Sequence, residues 1–305
     1  MGPLLFLIYV NDLNLCSDLL QFVLFADDTN IFFSHKDLNY LKTTMNIELN
    51  KVNEWFVNNK LVLNSQKTQF MVFGKRTTDK QSVQIFINDV ELQRVTTVKF
   101  LGIYIDDNMK WKSQIDKLCN QVSRNIGVIN RLSEFIPQMI LLTLYNTLIL
   151  CHLNYGISIW GSSDNYLLNR ILILQKRCVR IISKSGFRAH TAPLFNKFKI
   201  LPVHALYDYN VGIFMYLYFN DLLPSNFDSL FDRNIDIHSY NTRGKLNYRV
   251  NYGQSSLSRS LISYNGPLLW NSLPEYIKSS KSLNIFKYKI KAYFYFLMST
   301  STFSN

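Results

Sequence analysis

The run Leu19-Leu20-Gln21-Phe22-Val23-Leu24-Phe25-Ala26-Asp27-Asp28-Thr29-Asn30-Ile31-Phe32-Phe33 decides the fold of the first part of this chain. An apolar run, an acid pair and a second apolar run is the pattern of two antiparallel strands joined by a tight polar turn, here Asp27-Asp28-Thr29-Asn30. Adjacent strand residues point to opposite faces, so a turn is what lets both carboxylates address one pocket. Oxygen-only ligands suit Mg²⁺ or Mn²⁺, which are commonly held by one or two carboxylates together with substrate phosphates. That chemistry is metal-assisted phosphoryl transfer. An Asp-rich turn with no chemical role has the same local pattern, since Asp is a common turn residue.

On either side of the hairpin, Pro3 to about Leu13 reads as a helix with proline in its first turn, and Leu38 to about Asn59 has helical periodicity. Three short strands follow: Gln69 to Phe73, Val83 to Ile87 with a turn at Asn88-Asp89, and Val98 to Ile103. Residues 1–108 thus read as α+β, a small antiparallel sheet covered on one face by helices. From Trp111 the pattern is mainly helical: about Trp111 to Phe135, a break at Pro137, Met139 to Trp160, then Tyr166 to Lys184. Residues 109–190 read as a packed helical bundle. Residues 191–305 hold an apolar stretch from Pro202 to Phe219, a polar, turn-rich stretch from Asp221 to Ser258, and an amphipathic helix from about Leu283 to Leu297.

The 305 residues, 48% of them hydrophobic, are enough for two or three cored domains and exclude a disordered tail. Cys16, Cys119, Cys151 and Cys178 are widely spaced and form no CxxC or Cys/His ligand pattern, so neither a disulfide framework nor a zinc site is indicated and a reducing compartment fits. The N-terminus has no secretory pattern. The longest apolar segment, Met139 to Tyr155, is interrupted by Thr143, Asn146, Thr147, His152 and Asn154 and falls short of the roughly 20 apolar residues of a membrane span. The five histidines make no His-x-x-x-His or Ser/His/Asp arrangement, and no phosphate-binding glycine loop is present.

The net charge of +12 is unevenly placed. Residues 1–169 hold 15 Lys/Arg against 15 Asp/Glu, whereas residues 170–305 hold 18 against 6. That asymmetry points to a polyanion-binding region, with a basic face kept for solubility as the plainer alternative. Arg170, Lys176, Arg177, Arg180, Lys184 and Arg188 recur near helical spacing among Ile171, Leu174, Val179 and Ile182, so one face can pack while the other meets phosphates.

Further segments narrow the reading: Gly2-Pro3-Leu4-Leu5-Phe6-Leu7-Ile8-Tyr9-Val10-Asn11-Asp12-Leu13, Leu63-Asn64-Ser65-Gln66-Lys67-Thr68-Gln69-Phe70, and Val98-Lys99-Phe100-Leu101-Gly102-Ile103-Tyr104-Ile105-Asp106. With Phe25-Ala26-Asp27-Asp28 they resemble, in order and spacing, the later palm motifs of reverse transcriptases from non-LTR retrotransposons of the jockey and CR1 type. The resemblance continues through Leu153-Asn154-Tyr155-Gly156, Trp160-Gly161, Leu174-Gln175-Lys176-Arg177, Tyr240-Asn241-Thr242-Arg243 and Gly266-Pro267-Leu268-Leu269-Trp270-Asn271. Each motif alone is weak; their shared order makes chance agreement remote.

The resemblance implies a partial polymerase palm at 1–108, a helical thumb at 109–190 and a basic C-terminal domain at 191–305. It makes Asp27 and Asp28 catalytic ligands of Mg²⁺ or Mn²⁺ and sets Lys67 near the leaving pyrophosphate, where a held lysine stabilises charge and donates a proton. Phe100, Leu101 and Gly102 resemble the primer grip, and Arg131, Lys176, Arg177 and Arg180 are candidate nucleic-acid contacts. Trp111, Tyr155 and Trp160 fall on thumb-like helices, where aromatic side chains serve the core more often than a duplex. The implied partners are an RNA template and a DNA primer, with no membrane, in the cytoplasm and nucleus as a ribonucleoprotein and not secreted.

Set against that family, Met1-Gly2-Pro3 coincides with the middle of the segment before the acid hairpin. The fingers and the strand bearing the first catalytic aspartate are then expected to be missing, the missing N-terminal polymerase portion becomes an implied partner, and polymerisation by this chain alone is not expected. A nucleic-acid-binding module with a relic acid pair, and a non-functional retroelement remnant, are the competing readings.

Overall fold

Within Gln21–Phe25, Phe22 and Leu24 turn inward while Gln21, Val23 and Phe25 stay exposed, and that alternation lays the strand against a helix. The computed structural model describes residues 2–64, 66–74, 83–237, 247–253 and 255–300. It separates into two compact units, Met1–Asn108 and Met109–Asn305.

In the first unit α1 (Gly2–Tyr9) and a 3₁₀ turn (Leu13–Cys16) precede the hairpin of β1 (Gln21–Phe25) and β2 (Asp28–Phe32). Helix α2 (Leu38–Asn58) begins at Asp37, whose carboxylate accepts the Tyr40 amide at 2.9 Å and so satisfies one of the helix's orphan donors. Phe22, Leu24, Ile31 and Phe33 pack around Leu13, Leu20 and Val52. Ile31 and Met45 also join a second cluster, in which Leu49 meets Val83, Ile85, Ile87 and Leu92 with Leu63, Phe70 and Val72 around them. Helix α2 is therefore the scaffold of the unit.

The α+β expectation holds, but the strands do not form one small antiparallel sheet. Among the described residues there are four two-stranded sheets. Beside β1–β2 these are β3 (Gln69–Phe70) with β6 (Gln93–Arg94), which run parallel, β4 (Phe86–Ile87) with β5 (Val90–Glu91), and β7 (Thr97–Phe100) with β8 (Ile103–Asp106). Two-residue turns cut the runs short. Asn88 and Asp89 have φ of 49° and 61°, and Leu101 and Gly102 have 44° and 85°. Positive φ at both central residues is the type I′ geometry that suits strand twist, so the run Val98 to Ile103 is a hairpin and not one strand.

The second unit is helical: α3 (Lys112–Leu132), α4 (Gln138–Tyr145), α5 (Cys151–Asn154), α6 (Ile157–Trp160), α7 (Asn165–Ser183), α8 (Ala192–Phe198), α9 (Val203–Phe219), α10 (Asn234–Ile237), α11 (Ser256–Ser260), α12 (Ile262–Ser272), α13 (Glu275–Lys278) and α14 (Leu283–Thr300). The expected single helix from Met139 to Trp160 is broken twice. Asn146–Leu150 winds as a π-helix, and Gly156 (φ 62°) turns the chain between α5 and α6. The indole of Trp160 holds that bend by donating to the Tyr155 carbonyl at 2.9 Å. Buried Trp270 of the Gly266–Asn271 segment lies 6.0 Å from the Phe286 ring on α14, and Asn271 bonds both the N–H and the C=O of Tyr248. These segments are thus structural. Tyr240-Asn241-Thr242-Arg243 lies outside the described residues.

Candidate active site

Phe25 pairs with Asp28 in the hairpin register, so the two-residue loop is Ala26-Asp27 and Asp28 is already the first residue of β2. The turn is displaced towards the N-terminus from Asp27–Asn30. Ala26 has φ 52° whereas Asp27 keeps the usual sign, the pattern of a type II′ turn, and that turn was illegible because alanine seldom adopts positive φ. Cross-strand partners share a face, so Asp28 shares the outward face with Phe25, Val23, Asn30 and Phe32, while Asp27 sits at the tip. Both acids are exposed.

The entry to β1 is held by a network that residue patterns did not announce. The Ser17 hydroxyl donates to buried Glu48 of α2 at 2.6 Å and accepts the amides of Leu19 and Leu20, each at 3.2 Å. Lys51 donates to the other Glu48 oxygen at 2.7 Å. Lys51 first, and Ser17 second, hold the Glu48 carboxyl below its ordinary range. A glutamate inside a helix gives no sequence signal of such a role.

Lys67 follows a turn made by Asn64, whose side-chain oxygen accepts the Lys67 amide at 3.1 Å and whose carbonyl accepts the Thr68 amide at 3.0 Å. Leu63 and Phe70, on either side, pack in the same cluster as Ile31 of the acid hairpin. One helix, α2, thus anchors both the acid pair and the Lys67 segment. Phe100, Leu101 and Gly102 form the tip of the β7–β8 hairpin, with Leu101 in the left-handed region that non-glycine residues avoid.

In the second unit Arg131 and Arg177 are exposed, Lys176 is half-buried, and the Arg180 guanidinium donates to the Ala189 carbonyl at 2.9 Å. Arg180 therefore secures the segment after α7. Trp111 and Trp160 are buried and serve the core, whereas Tyr155 is exposed.

Among the described residues no three His, Cys, Asp or Glu side chains gather as a metal cage. Two carboxylates at an exposed tip fit an ion that completes its shell with water and phosphate oxygens, which is the habit of Mg²⁺. No helix of the described residues is long and apolar enough to cross a membrane.

The family model described as "Reverse transcriptase (RNA-dependent DNA polymerase)" matches residues 1–105, the span that contains the acid hairpin, Lys67 and the β7–β8 tip. Residues 1–105 thus carry a reverse-transcriptase domain match, and the curated relatives are RNA-directed DNA polymerases of mobile elements. This reverse-transcriptase segment is extended by similarity to three curated proteins of Drosophila melanogaster. The RNA-directed DNA polymerase from mobile element jockey is 22% identical over 213 residues, covering 66% of this chain and 23% of the relative. The probable RNA-directed DNA polymerase from transposon X-element is 21% identical, covering 67% and 23%. The corresponding protein from transposon BS is 25% identical, covering 60% and 21%. The chain thus spans less than a quarter of the length of these relatives. No solved structure matches it significantly. The reverse-transcriptase family generally uses divalent metal ions and acts on a nucleic-acid template and primer.

Proposed function

We propose that this chain forms part of the core of an RNA-directed DNA polymerase, with residues 1–108 as part of the palm, 109–190 as the thumb and 191–305 as a basic C-terminal region. The observation that carries the reading is the acid pair at the tip of a two-residue hairpin, within the residues that match the family. Asp27 and Asp28 hold Mg²⁺ or Mn²⁺, and the bound ion supplies charge neutralisation and activation of an attacking hydroxyl. Lys67 offsets charge on the departing pyrophosphate. Phe100, Leu101 and Gly102 set the primer end, and Arg131 on α3 with Lys176 and Arg177 on α7 meet template–primer phosphates; Arg180 holds the segment after α7 through the Ala189 carbonyl. The setting is intracellular, with an RNA template and a DNA primer as partners.

Two carboxylates are fewer than a two-ion site uses, so strand extension needs a further carboxylate from another segment. At 1.36 kcal/mol per tenfold, roughly 5 kcal/mol of lost transition-state stabilisation is about four orders of magnitude in rate. The test is Mn²⁺ titration of isotopically labelled protein. Paramagnetic broadening is expected at the amides of Phe25 to Thr29, and Asp27→Ala with Asp28→Ala should abolish it. Broadening that ignores both substitutions would overturn the assignment.

The basic excess after Arg170 favours a second reading, template binding without catalysis. In that case Asp27→Ala leaves nucleic-acid affinity unchanged and no added segment restores extension.

A further inference from the structure

The acid hairpin is held in a register that its own turn does not favour. With Ala26-Asp27 as the loop, Phe25 pairs with Asp28 and Phe22 with Ile31, and Ala26 takes φ 52°, which alanine seldom adopts. A loop of Asp28-Thr29, which residue type favours, would set Phe25 opposite Phe32 and Ala26 opposite Ile31. That slide of four residues, about 13 Å of strand, keeps Phe22, Leu24, Ile31 and Phe33 on the inner face, so the apolar pattern alone does not exclude it. It would draw Asp28 out of β2 and into the loop. Both arms of the hairpin end on α2. The β2 arm is tied within five residues, Phe33 to Asp37: the Asp37 amide donates to His35 Nδ1 at 3.1 Å, and the His35 ring lies 4.2 Å from the ring of Tyr40 on α2. The β1 arm is tied four residues before Gln21, where the Ser17 hydroxyl donates to Glu48 at 2.6 Å and accepts the Leu19 and Leu20 amides. With the β2 arm so short, a slide has to be taken up by the β1 arm, and the Ser17 tie resists it.

We propose that Ser17 and Glu48 are positioning residues that set the register of the acid hairpin, and so hold Asp27 at its tip and Asp28 on the outer face of β2. Both are buried, at 6% and 3% exposure. A buried carboxylate is costly to desolvate, and an apolar side chain in its place often serves stability as well or better. The pair is therefore explained by the arrangement it selects rather than by the stability it adds. Its bearing on catalysis rests on Asp27 and Asp28 being the metal-binding carboxylates, whereas the register is measurable with no metal present.

The test is the pattern of cross-strand nuclear Overhauser contacts in the isotopically labelled full chain, without metal. The parent should show Phe22 against Ile31 and Phe25 against Asp28. Ser17→Ala should lose these contacts and gain Ala26 against Ile31 and Phe25 against Phe32, and Glu48→Leu should do the same even where its thermal midpoint equals the parent's. Ser17→Thr, which keeps the hydroxyl, should retain the parent set. Ala26→Gly added to Ser17→Ala should restore that set by favouring the Ala26-Asp27 turn, and it answers the same question if Ser17→Ala alone does not fold. Parent contacts that persist in both Ser17→Ala and Glu48→Leu would overturn the proposal. So would a loss of every contact that Ala26→Gly leaves unrestored, which is the signature of lost stability alone. Mn²⁺ added afterwards separates the two readings: a parent with the expected register and no broadening counts against the polymerase assignment and leaves the register result standing.

Discussion

The carboxamide of Gln175 donates to the Tyr145 hydroxyl at 2.9 Å, deep between α7 and α4, and both side chains are inaccessible to solvent. Gln175 also donates to the Leu201 carbonyl at 3.3 Å and accepts the Val203 amide at 2.8 Å. One side chain therefore ties two helices to the start of α9. Where the motif Leu174-Gln175-Lys176-Arg177 suggested basic contacts, its glutamine is the keystone of the helical unit.

Gln175→Leu strands three buried polar groups, each worth about 1–3 kcal/mol when left unpaired. A loss of about 3 kcal/mol or more is expected in urea unfolding of the second unit. A loss below about 1 kcal/mol would mean that water or rearrangement replaces the network.

Gly161 is buried for lack of space rather than for backbone freedom. A Cβ there would lie 2.5 Å from the Ile157 carbonyl oxygen and 2.5 Å from the Tyr207 ring. The backbone oxygen cannot give way without unwinding α6, so Gly161→Ala should cost about 3 kcal/mol, at the upper end of overpacking penalties. Thermal unfolding checks it; an unchanged midpoint would show that α6 moves freely.

Burial raises the Asp208 carboxyl from 3.8 to about 6. A raised value means that the fold prefers the protonated form, so this contribution is fully present below about 3.8 and is lost as pH rises to about 6. Glu48 has the opposite sign: stability present above its ordinary 4.5 is lost as pH falls through its depressed value. Asp208→Asn should flatten the decline between pH 4 and 6, and Glu48→Gln the loss at lower pH. Unfolding midpoints measured across pH decide both; a variant that follows the parent curve refutes its assignment.

Ala26 carries φ 52° at the first central position of a type II′ turn, the site glycine prefers. Ala26→Gly should stabilise the first unit by about 0.5–1 kcal/mol, and Ala26→Val should destabilise it by at least about 1 kcal/mol. Hydrogen exchange at the amides of Phe25 and Asp28 reports the change. Faster exchange in Ala26→Gly would show that the turn is not held as described.

The acid hairpin was legible because two apolar runs around adjacent acids permit few other arrangements. Its turn lies two residues earlier than Asp27–Asn30 because residue type favours Asp-Asn turns and is silent about an alanine held at positive φ by strand register. The long helices Leu38–Asn58, Lys112–Leu132 and Asn165–Ser183 followed from periodicity almost to their ends. The sheets did not, since strands of two residues carry too little pattern to reveal their partners, and a parallel pairing such as Gln69–Phe70 with Gln93–Arg94 is non-local.

The α+β beginning, the helical continuation, the charge asymmetry and the resemblance to retrotransposon reverse transcriptases could all be read from the sequence alone. Those properties reside in local periodicity and in the order of motifs along the chain. Only the tertiary structure decided that Trp160, Gln175 and Arg180 serve the fold, that α2 anchors both Asp27-Asp28 and the Lys67 segment, and that Tyr288 faces water. Whether a side chain is buried or presented depends on which distant residue packs over it, and no single segment contains that information.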